Sequence, residues 1–194
     1  MKHTEIINSL IQKFGYKSYL EIGTQKRANN FDKIKCESKM CIDPDPHSDA
    51  ILHLTSDEYF EKHINITFDV VFVDGLHEST QVHRDIVNSF LVLNPGGTIV
   101  VHDLLPTDEA MQRVPRETKI WTGNGWMAWV KCRRLNDDLE MFVIDTDYGC
   151  GILREGQQEI LKIDQPQTYY EFEANKKEWM NIITVEQFNK WLKK

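Results

Sequence analysis

The chain has 194 residues, 41% of them hydrophobic, and its formal net charge at pH 7 is −7. This length and hydrophobic content predict a globular protein of one domain, or of one domain with an appendage. The acidic balance and the lack of a large Lys/Arg cluster argue against a nucleic-acid binder, and no apolar stretch approaches the length of a membrane span.

The first residues mix charged side chains with apolar ones, which is not the pattern of a signal peptide. The four cysteines form no Cys-x-x-Cys pair and are interpreted as reduced thiols. We therefore expect a cytoplasmic protein that has neither a membrane nor a nucleic acid as a partner.

Hydrophobic periodicity divides the chain into strands and helices. Short apolar runs predict strands over residues 19–22, 40–42, 51–54, 70–73, 98–101, 140–144 and 151–153. Amphipathic or capped stretches predict helices over residues 3–14, from 30, from 55, over 80–93, 109–114, 168–182 and 184–192. Residues 127–134 fit either a strand or a helix. The alternation predicts an α/β, Rossmann-like doubly wound fold over residues 1–160, with a C-terminal helical extension over residues 161–194 packed on it.

The stretch from residue 68 to residue 106 is a predicted strand–helix–strand unit. Its two β-branched runs are typical of buried parallel strands, and such a crossover is almost always right-handed. Both strands therefore end at the same edge of the sheet, where open α/β folds bind ligands. The side chains brought there are Asp74, Gly75, Leu76, His77, His102 and Asp103.

Acidic residues also follow the earlier predicted strands. Glu21-Ile22-Gly23-Thr24 follows the first one, and a glycine there lets a ligand approach the backbone. Asp43 ends the next, where nucleotide-binding α/β folds place a carboxylate for ribose hydroxyls. Ser56 and Asp57 follow the third, and either contact an adenine or cap a helix. The G-x-G-x-x-G fingerprint of a dinucleotide site is absent.

Two aspartates and two histidines at the ends of one strand pair have two functional interpretations. One is a divalent metal site formed by Asp74, His102 and Asp103, suited to Mg²⁺ or Mn²⁺. The other is metal-free catalysis, with His77 or His102 as general base. The sequence leaves both open. Trp121 and Trp126 flank a Thr-Gly-Asn-Gly turn, and we expect them to line an acceptor pocket.

Several motifs together resemble a known family. They are Tyr19-Leu-Glu-Ile-Gly23, Ile42-Asp43-Pro44, Ser56-Asp57, Phe72-Val-Asp-Gly-Leu-His77 and Pro95-Gly-Gly-Thr-Ile-Val-Val-His-Asp103. They resemble the class I S-adenosylmethionine-dependent methyltransferases, in particular the small bacterial group labelled methyltransferase domain 24. The resemblance covers roughly residues 15–155.

The resemblance implies a seven-stranded, mostly parallel sheet whose last strand is antiparallel. It implies that Glu21 and Gly23 border the methionine part of the cofactor, that Asp43 binds the ribose and that Ser56 and Asp57 lie near the adenine. The residues expected to complete this cofactor site are Thr24, Asp74 and Gly75. Related metal-dependent O-methyltransferases hold a divalent ion at positions matching Asp74, His102 and Asp103, although an aspartate is usual where His102 stands.

The leading hypothesis is a methyltransferase that moves a methyl group from S-adenosylmethionine to a hydroxyl of a small molecule or glycan. His102, His77 and Asp103 are its expected catalytic residues. The alternatives are a non-catalytic nucleoside-binding module of the same fold and an NAD-dependent oxidoreductase. The acceptor and the oligomeric state, with a homodimer as one option, stay open.

Overall fold

The computed structural model describes residues 1–166 and 168–194. Its strands are β1 Ser18–Ile22, β2 Ser38–Ile42, β3 Phe68–Val73, β4 Leu93–Val101, β5 Leu139–Ile144, β6 Cys150–Glu155 and β7 Ile182–Ile183. Its helices are α1 His3–Phe14, α2 Ser56–His63, α3 Ser79–Leu91, α4 Glu109–Gln112, α5 Trp126–Leu135, α6 Tyr169–Trp179 and α7 Val185–Trp191. None of these helices combines the length and the apolar character that crossing a membrane requires.

The strands form one seven-stranded sheet in the order β2-β1-β3-β4-β6-β5-β7. The pairs β1–β2, β1–β3 and β3–β4 are parallel, while β6 runs antiparallel to both β4 and β5. The predicted fold class is therefore confirmed. The antiparallel strand is the sixth along the chain, because the short β7 follows it and pairs parallel with β5.

Helices cover both faces of this sheet, so it is doubly wound. One core cluster packs residues of α2, α3, α5 and α6 against alternate strand positions such as Val71 and Val73. The other packs α1 and α7 against the intervening positions, such as Val70 and Phe72. The alternation follows from the period of two along a strand, which turns successive side chains to opposite faces.

Local capping signals in the sequence coincide with the observed helix ends. Gly15 ends α1 in the left-handed conformation, with φ 68°. Thr55 and Thr184 begin α2 and α7 with the reciprocal side-chain to backbone bonds of a capping box. Each threonine satisfies backbone N–H groups that a helix start leaves unpaired.

Two predicted elements are wrong. The helix expected from residue 30 is a single 3₁₀ turn, Phe31–Lys33, and the strand expected over residues 51–54 is one isolated bridge between Ile42 and Leu52. Ile51 is 44% exposed, and only Leu52 and Leu54 of this stretch pack against the core, so it is less buried than the strands of the sheet.

Three further elements differ in detail or were undecided. The ambiguous residues 127–134 belong to helix α5. Strand β4 begins at Leu93, ahead of Pro95-Gly96-Gly97, and its register against β3 shifts there because proline cannot donate to a ladder. The segment after residue 160 contributes β7 to the sheet. The predicted boundary between a domain and a C-terminal extension at residue 160 stays a prediction. Gln167, in the predicted extension, lies outside the described residues.

Candidate active site

A cavity of about 700 Å³ opens where the parallel strands end. The residues predicted to bind a cofactor all line it: Glu21, Gly23, Thr24, Asp43, Ser56, Asp57, Asp74 and Gly75. His77, His102 and Asp103 line it as well. The topology thus brings together eleven side chains or backbone positions taken from five separate stretches of the sequence.

Position 23 requires a glycine because the end of the neighbouring strand β3 lies against it. Its φ is +88°, and a Cβ added there would lie 2.2 Å from the carbonyl oxygen of Asp74. The end of β3 therefore approaches the turn after β1 more closely than any side chain allows. The predicted need for glycine is right, but what approaches its Cα is the protein backbone, and this contact brings Asp74 beside the first turn.

Glu21 is nearly fully buried at the end of β1. Its Oε2 accepts hydrogen bonds from the Tyr19 hydroxyl at 2.6 Å and from Nδ2 of Asn30 at 2.7 Å. Burial raises the pKa of Glu21, and the hydrogen bonds from Tyr19 and Asn30 oppose that rise. The carboxylate is therefore held rigidly in the cavity wall, where a positively charged group would stabilise its ionised form.

The carboxylate of Asp43 holds the loops around the next strand end. Oδ2 accepts from the backbone N–H of Gln25 at 2.8 Å, and Oδ1 accepts from the N–H of Asp45 at 2.9 Å. Each carboxylate oxygen has a further lone pair, so both stay able to accept from hydroxyl groups in the cavity.

Ser56 and Asp57 form the first turn of α2, next to α3. Oγ of Ser56 accepts from Nε2 of Gln81 at 3.0 Å, and Asp57 pairs with Arg84 at 3.1 Å. The helix is capped by Thr55, so the predicted capping function falls one residue earlier than Ser56. Ser56 and Asp57 are left to shape the cavity wall.

A network of imidazoles and carboxylates lies at the ends of β3 and β4. Nδ1 of His102 is 3.0 Å from Oδ1 of Asp74, and Nδ1 of His77 is 3.1 Å from Oδ2 of Asp103. Nε2 of His77 is 3.5 Å from Oδ1 of Asp74. Asp74 therefore lies between the two rings, as their positions at neighbouring strand ends predict.

The charges in this network stabilise each other. Burial lowers the pKa of His77, but the carboxylates of Asp103 and Asp74 outweigh it and raise that pKa to about 10. Burial also lowers the pKa of His102, and Asp74 and Asp147 raise it well above its ordinary value. Burial raises the pKa of Asp74, and the two histidines hold it well below its usual range. The carboxylates of the chain therefore favour the protonated form of both imidazoles.

The predicted metal ligands also lie close together. One ligand atom from each of Asp74, His102 and Asp103 falls within 4.8 Å of the others. Two carboxylates and one imidazole form a donor set that a divalent cation such as Mn²⁺ or Mg²⁺ accepts. The residues fit a cation, which would replace the positive charge that the protonated histidines supply.

The two tryptophans predicted to line an acceptor pocket separate in the structure. Trp121 stacks on His77, with ring centroids 5.6 Å apart and planes 6° from parallel. Trp126 is fully buried and packs on Phe172 at 4.5 Å between centroids. The structure contradicts the expectation for Trp126, since α5 turns its ring into the core. Trp121 stays a candidate at the rim.

Two residues of the network were missed by sequence reasoning. Neither His3 nor Asp147 was among the predicted site residues, yet Nδ1 of His3 lies 2.6 Å from Oδ2 of Asp147. The same oxygen lies 3.5 Å from Nε2 of His102. No sequence signal marks this contact, because 144 residues separate His3 from Asp147.

Comparisons with known proteins support the fold. A family model described as a methyltransferase domain matches residues 38–104. No curated protein matches the sequence. Among solved structures, the O-methyltransferase from Bacillus cereus in complex with SAH is 13% identical, with a TM-score of 0.58 over 77% of this chain and 78% of that one.

Two further solved structures are similar. The O-methyltransferase TomG from Streptomyces achromogenes, in complex with SAM, is 14% identical, with a TM-score of 0.55 over 80% of this chain and 79% of that one. MycE methyltransferase from the mycinamycin biosynthetic pathway, in complex with Mg, SAH and mycinamycin VI, is 14% identical, with a TM-score of 0.50 over 77% and 48%. The family model matching over β2 to β4 and the shared architecture support the resemblance: the chain has the fold of these methyltransferases, and its residues 38–104 are similar to a methyltransferase domain.

Proposed function

We propose that this protein is an S-adenosylmethionine-dependent methyltransferase acting on a hydroxyl of a small molecule or glycan. The observation that carries the proposal is a single cavity lined by acidic residues from the ends of β1, β2 and β3 and by two histidines at its inner end. A nucleoside with hydroxyl groups and a positive charge suits such a lining, since each of those features finds a carboxylate.

The proposed cofactor-binding roles are those that the family resemblance implies, and all of these residues line the cavity. Asp43 accepts hydrogen bonds from the ribose hydroxyls, and Ser56 and Asp57 border the adenine. Glu21, Gly23 and Thr24 border the methionine part, with Asp74 and Gly75 on the facing strand end. The buried carboxylate of Glu21 and the ionised Asp74 place negative charge near the sulfonium.

The reaction requires a donor and an acceptor held in line. When bound, S-adenosylmethionine supplies a methyl group that its sulfonium already activates. The remaining task of the chain is to orient the acceptor hydroxyl and to remove its proton, which are proximity and general-base effects. His77 and His102 lie at the cavity end where that proton would leave, and Asp103 holds the ring of His77.

A histidine that acts as base must first lose its own proton. The surrounding carboxylates raise the pKa of both rings and so favour their protonated form. The positive charge of a sulfonium, or of a divalent cation held by Asp74, His102 and Asp103, opposes the imidazolium charge and lowers its pKa. Such a cation would also stabilise the alkoxide form of the acceptor. The histidine can therefore accept a proton from the acceptor only when the sulfonium or the cation is bound.

Binding and transfer measurements test the proposal together. Calorimetry with S-adenosylhomocysteine and with NADH should give binding of the first alone. Transfer of labelled methyl from S-adenosylmethionine to a panel of hydroxylated small molecules and glycans, with Mg²⁺ or with EDTA, should then show turnover. An Asp43→Ala variant should lose binding, since it lacks the ribose acceptor.

The outcomes separate the alternative functions. Tight binding without transfer to any acceptor would favour the non-catalytic nucleoside-binding module. Preferential binding of NADH would favour the NAD-dependent oxidoreductase, which the absent glycine fingerprint argues against. A cytoplasmic location and the absence of membrane and nucleic-acid partners stay part of the proposal.

A further inference from the structure

Helix α1 packs on the face of the sheet that also carries α7, and its first turn reaches the cavity. The Thr4 hydroxyl donates to Oδ1 of Asn30 at 2.7 Å, and Asn30 in turn donates to Glu21 at 2.7 Å. His3 lines the cavity itself and contacts the edge of the His102 ring at 4.6 Å between centroids. Two consecutive residues of α1 thus connect to opposite ends of the proposed site.

His3 holds Asp147 through two separate atoms. The backbone N–H of His3 donates to Oδ2 of Asp147 at 2.9 Å, and its ring Nδ1 lies 2.6 Å from the same oxygen. A carboxylate on the first N–H of a helix has a structural explanation as a substitute cap, because a helix start favours negative charge. Capping explains the backbone bond, but it does not require the imidazole of His3 or the approach of Asp147 to His102.

The ring of His102 has a carboxylate at each nitrogen. Nδ1 faces Asp74 in the cavity at 3.0 Å, and Nε2 faces Asp147 on the opposite side at 3.5 Å. Within the described chain, Nε2 is buried and has no partner at hydrogen-bond geometry. Asp147 is the carboxylate beside it, and a small ring rotation would complete that bond.

The turn that carries Asp147 has an uncommon backbone. Asp147 has φ +50° and Tyr148 has φ +60°, in the left-handed region that residues other than glycine rarely adopt. The backbone N–H groups of Leu104 and Leu105, directly after β4, donate to Gly149 and Tyr148 and hold the turn in place. Backbone strain of this kind persists where surrounding contacts enforce it, often beside functional sites.

We propose that His3 and Asp147 are positioning residues that hold the His102 ring with Nδ1 directed into the cavity. The proposal rests on the proposed methyltransferase function. A carboxylate that accepts from one imidazole nitrogen fixes the tautomer and the ring orientation, so the other nitrogen serves the reaction or a cation. Asp147, 3.5 Å from Nε2, is placed to take this role toward His102, and the two contacts from His3 hold Asp147 in turn.

Three variants of the full-length protein test the arrangement. Asp147→Asn removes the charge while keeping a residue that tolerates the left-handed conformation. His3→Ala removes the ring contact, and His3→Asn restores a donor near the position of Nδ1. The control is Asp145→Asn, the same change at an exposed residue of the same turn.

We expect Asp147→Asn and His3→Ala to lower kcat by about 10- to 100-fold, the usual effect of losing an outer partner of a functional histidine. The Kd for S-adenosylhomocysteine should change by less than about twofold, because neither residue is among those proposed to bind the nucleoside. His3→Asn should recover most of the loss, and Asp145→Asn should behave as wild type. Long-range ¹H–¹⁵N correlation spectra of labelled histidine should show changed His102 nitrogen shifts in Asp147→Asn and His3→Ala alone.

Several results would overturn the proposal. One is an unchanged His102 spectrum and kcat in Asp147→Asn, and another is a His3→Asn variant as impaired as His3→Ala. Loss of a bound metal equivalent in His3→Ala would identify His3, His102 and Asp147 as a cation site instead. If the wild type bound no S-adenosylhomocysteine, the proposed function would fail, yet the His102 spectra would still report on the positioning contact.

Discussion

His102 is the residue on which the proposed chemistry most directly depends. It is nearly fully buried between Asp74 and Asp147, and it joins the strand ends to the hairpin turn. We expect His102→Ala to abolish methyl transfer while leaving the Kd for S-adenosylhomocysteine within a few-fold, because the proposed role of the ring is toward the acceptor and not the nucleoside. Single-turnover transfer and calorimetry measure the two quantities. Full activity in this variant would show that His102 is not the base.

Gly23 allows a second prediction at the scale of one residue. Gly23→Ala would place a Cβ 2.2 Å from the Asp74 carbonyl oxygen at a φ of +88°. We expect a loss of about 1–3 kcal/mol in the free energy of unfolding, measured by urea denaturation, together with weaker S-adenosylhomocysteine binding.

The matched control for this change is Gly15→Ala. Gly15 has φ +68°, and nothing lies within 4 Å of the position that a Cβ would take, so alanine there adds conformational strain without a clash. The difference between the two variants isolates the contact between the ends of β1 and β3. Equal losses of unfolding free energy in the two variants would mean that a clash with Asp74 contributes nothing to the effect of Gly23→Ala.

At the scale of elements, two tryptophans close in sequence have different environments. Trp126 is the first residue of α5, and Trp121 lies in the segment before it. Trp126 is fully buried against Phe172 of α6, whereas Trp121 lies partly exposed on the His77 ring. We expect Trp126→Ala to lower the free energy of unfolding by about 3–5 kcal/mol, the range for a large buried aromatic.

Trp121→Ala should affect binding of the methyl acceptor more than the stability of the fold. We expect little change in the unfolding free energy and a raised KM for the methyl acceptor, because the ring stacks on His77, which lines the cavity. Denaturation curves and acceptor titrations of both variants separate packing from binding. A strongly destabilised Trp121→Ala with an unaltered KM would assign that ring to the fold.

At the scale of the whole molecule, one buried carboxyl makes stability depend on pH. Asp85 on α3 is 1% exposed, and burial raises its pKa to about 6 from an ordinary 3.8. As pH rises through this window, the unfolded chain releases the proton before the folded chain does. Ionisation of Asp85 therefore destabilises the fold progressively between about pH 4 and pH 6, and the effect is constant above that range.

We expect the difference in unfolding free energy between wild type and Asp85→Asn to change by about 2–3 kcal/mol across this window, with the wild type losing stability relative to the variant. Denaturant titrations at several pH values measure it. A difference that does not vary with pH would mean that Asp85 is ionised in the fold throughout the window.

Local signals in the sequence were enough for most elements. Buried apolar runs marked six of the seven strands, and Gly15, Thr55 and Thr184 marked helix ends, because the required contacts lie within one or two turns. The stretch over residues 51–54 forms only one isolated bridge, and the helix expected near residue 30 is a single 3₁₀ turn, although Phe31 and Ile34 are buried.

Parallel pairing also made the cavity predictable from the sequence. Parallel strands end at one edge, so Glu21, Asp43, Asp74 and His102 had to converge once the strands were identified. Only the tertiary structure decided that Trp126 is core, and that His3 and Asp147 complete the histidine network. Those contacts depend on how α1 and the β5–β6 turn pack across the sheet, and such long-range packing leaves no periodic mark along the chain.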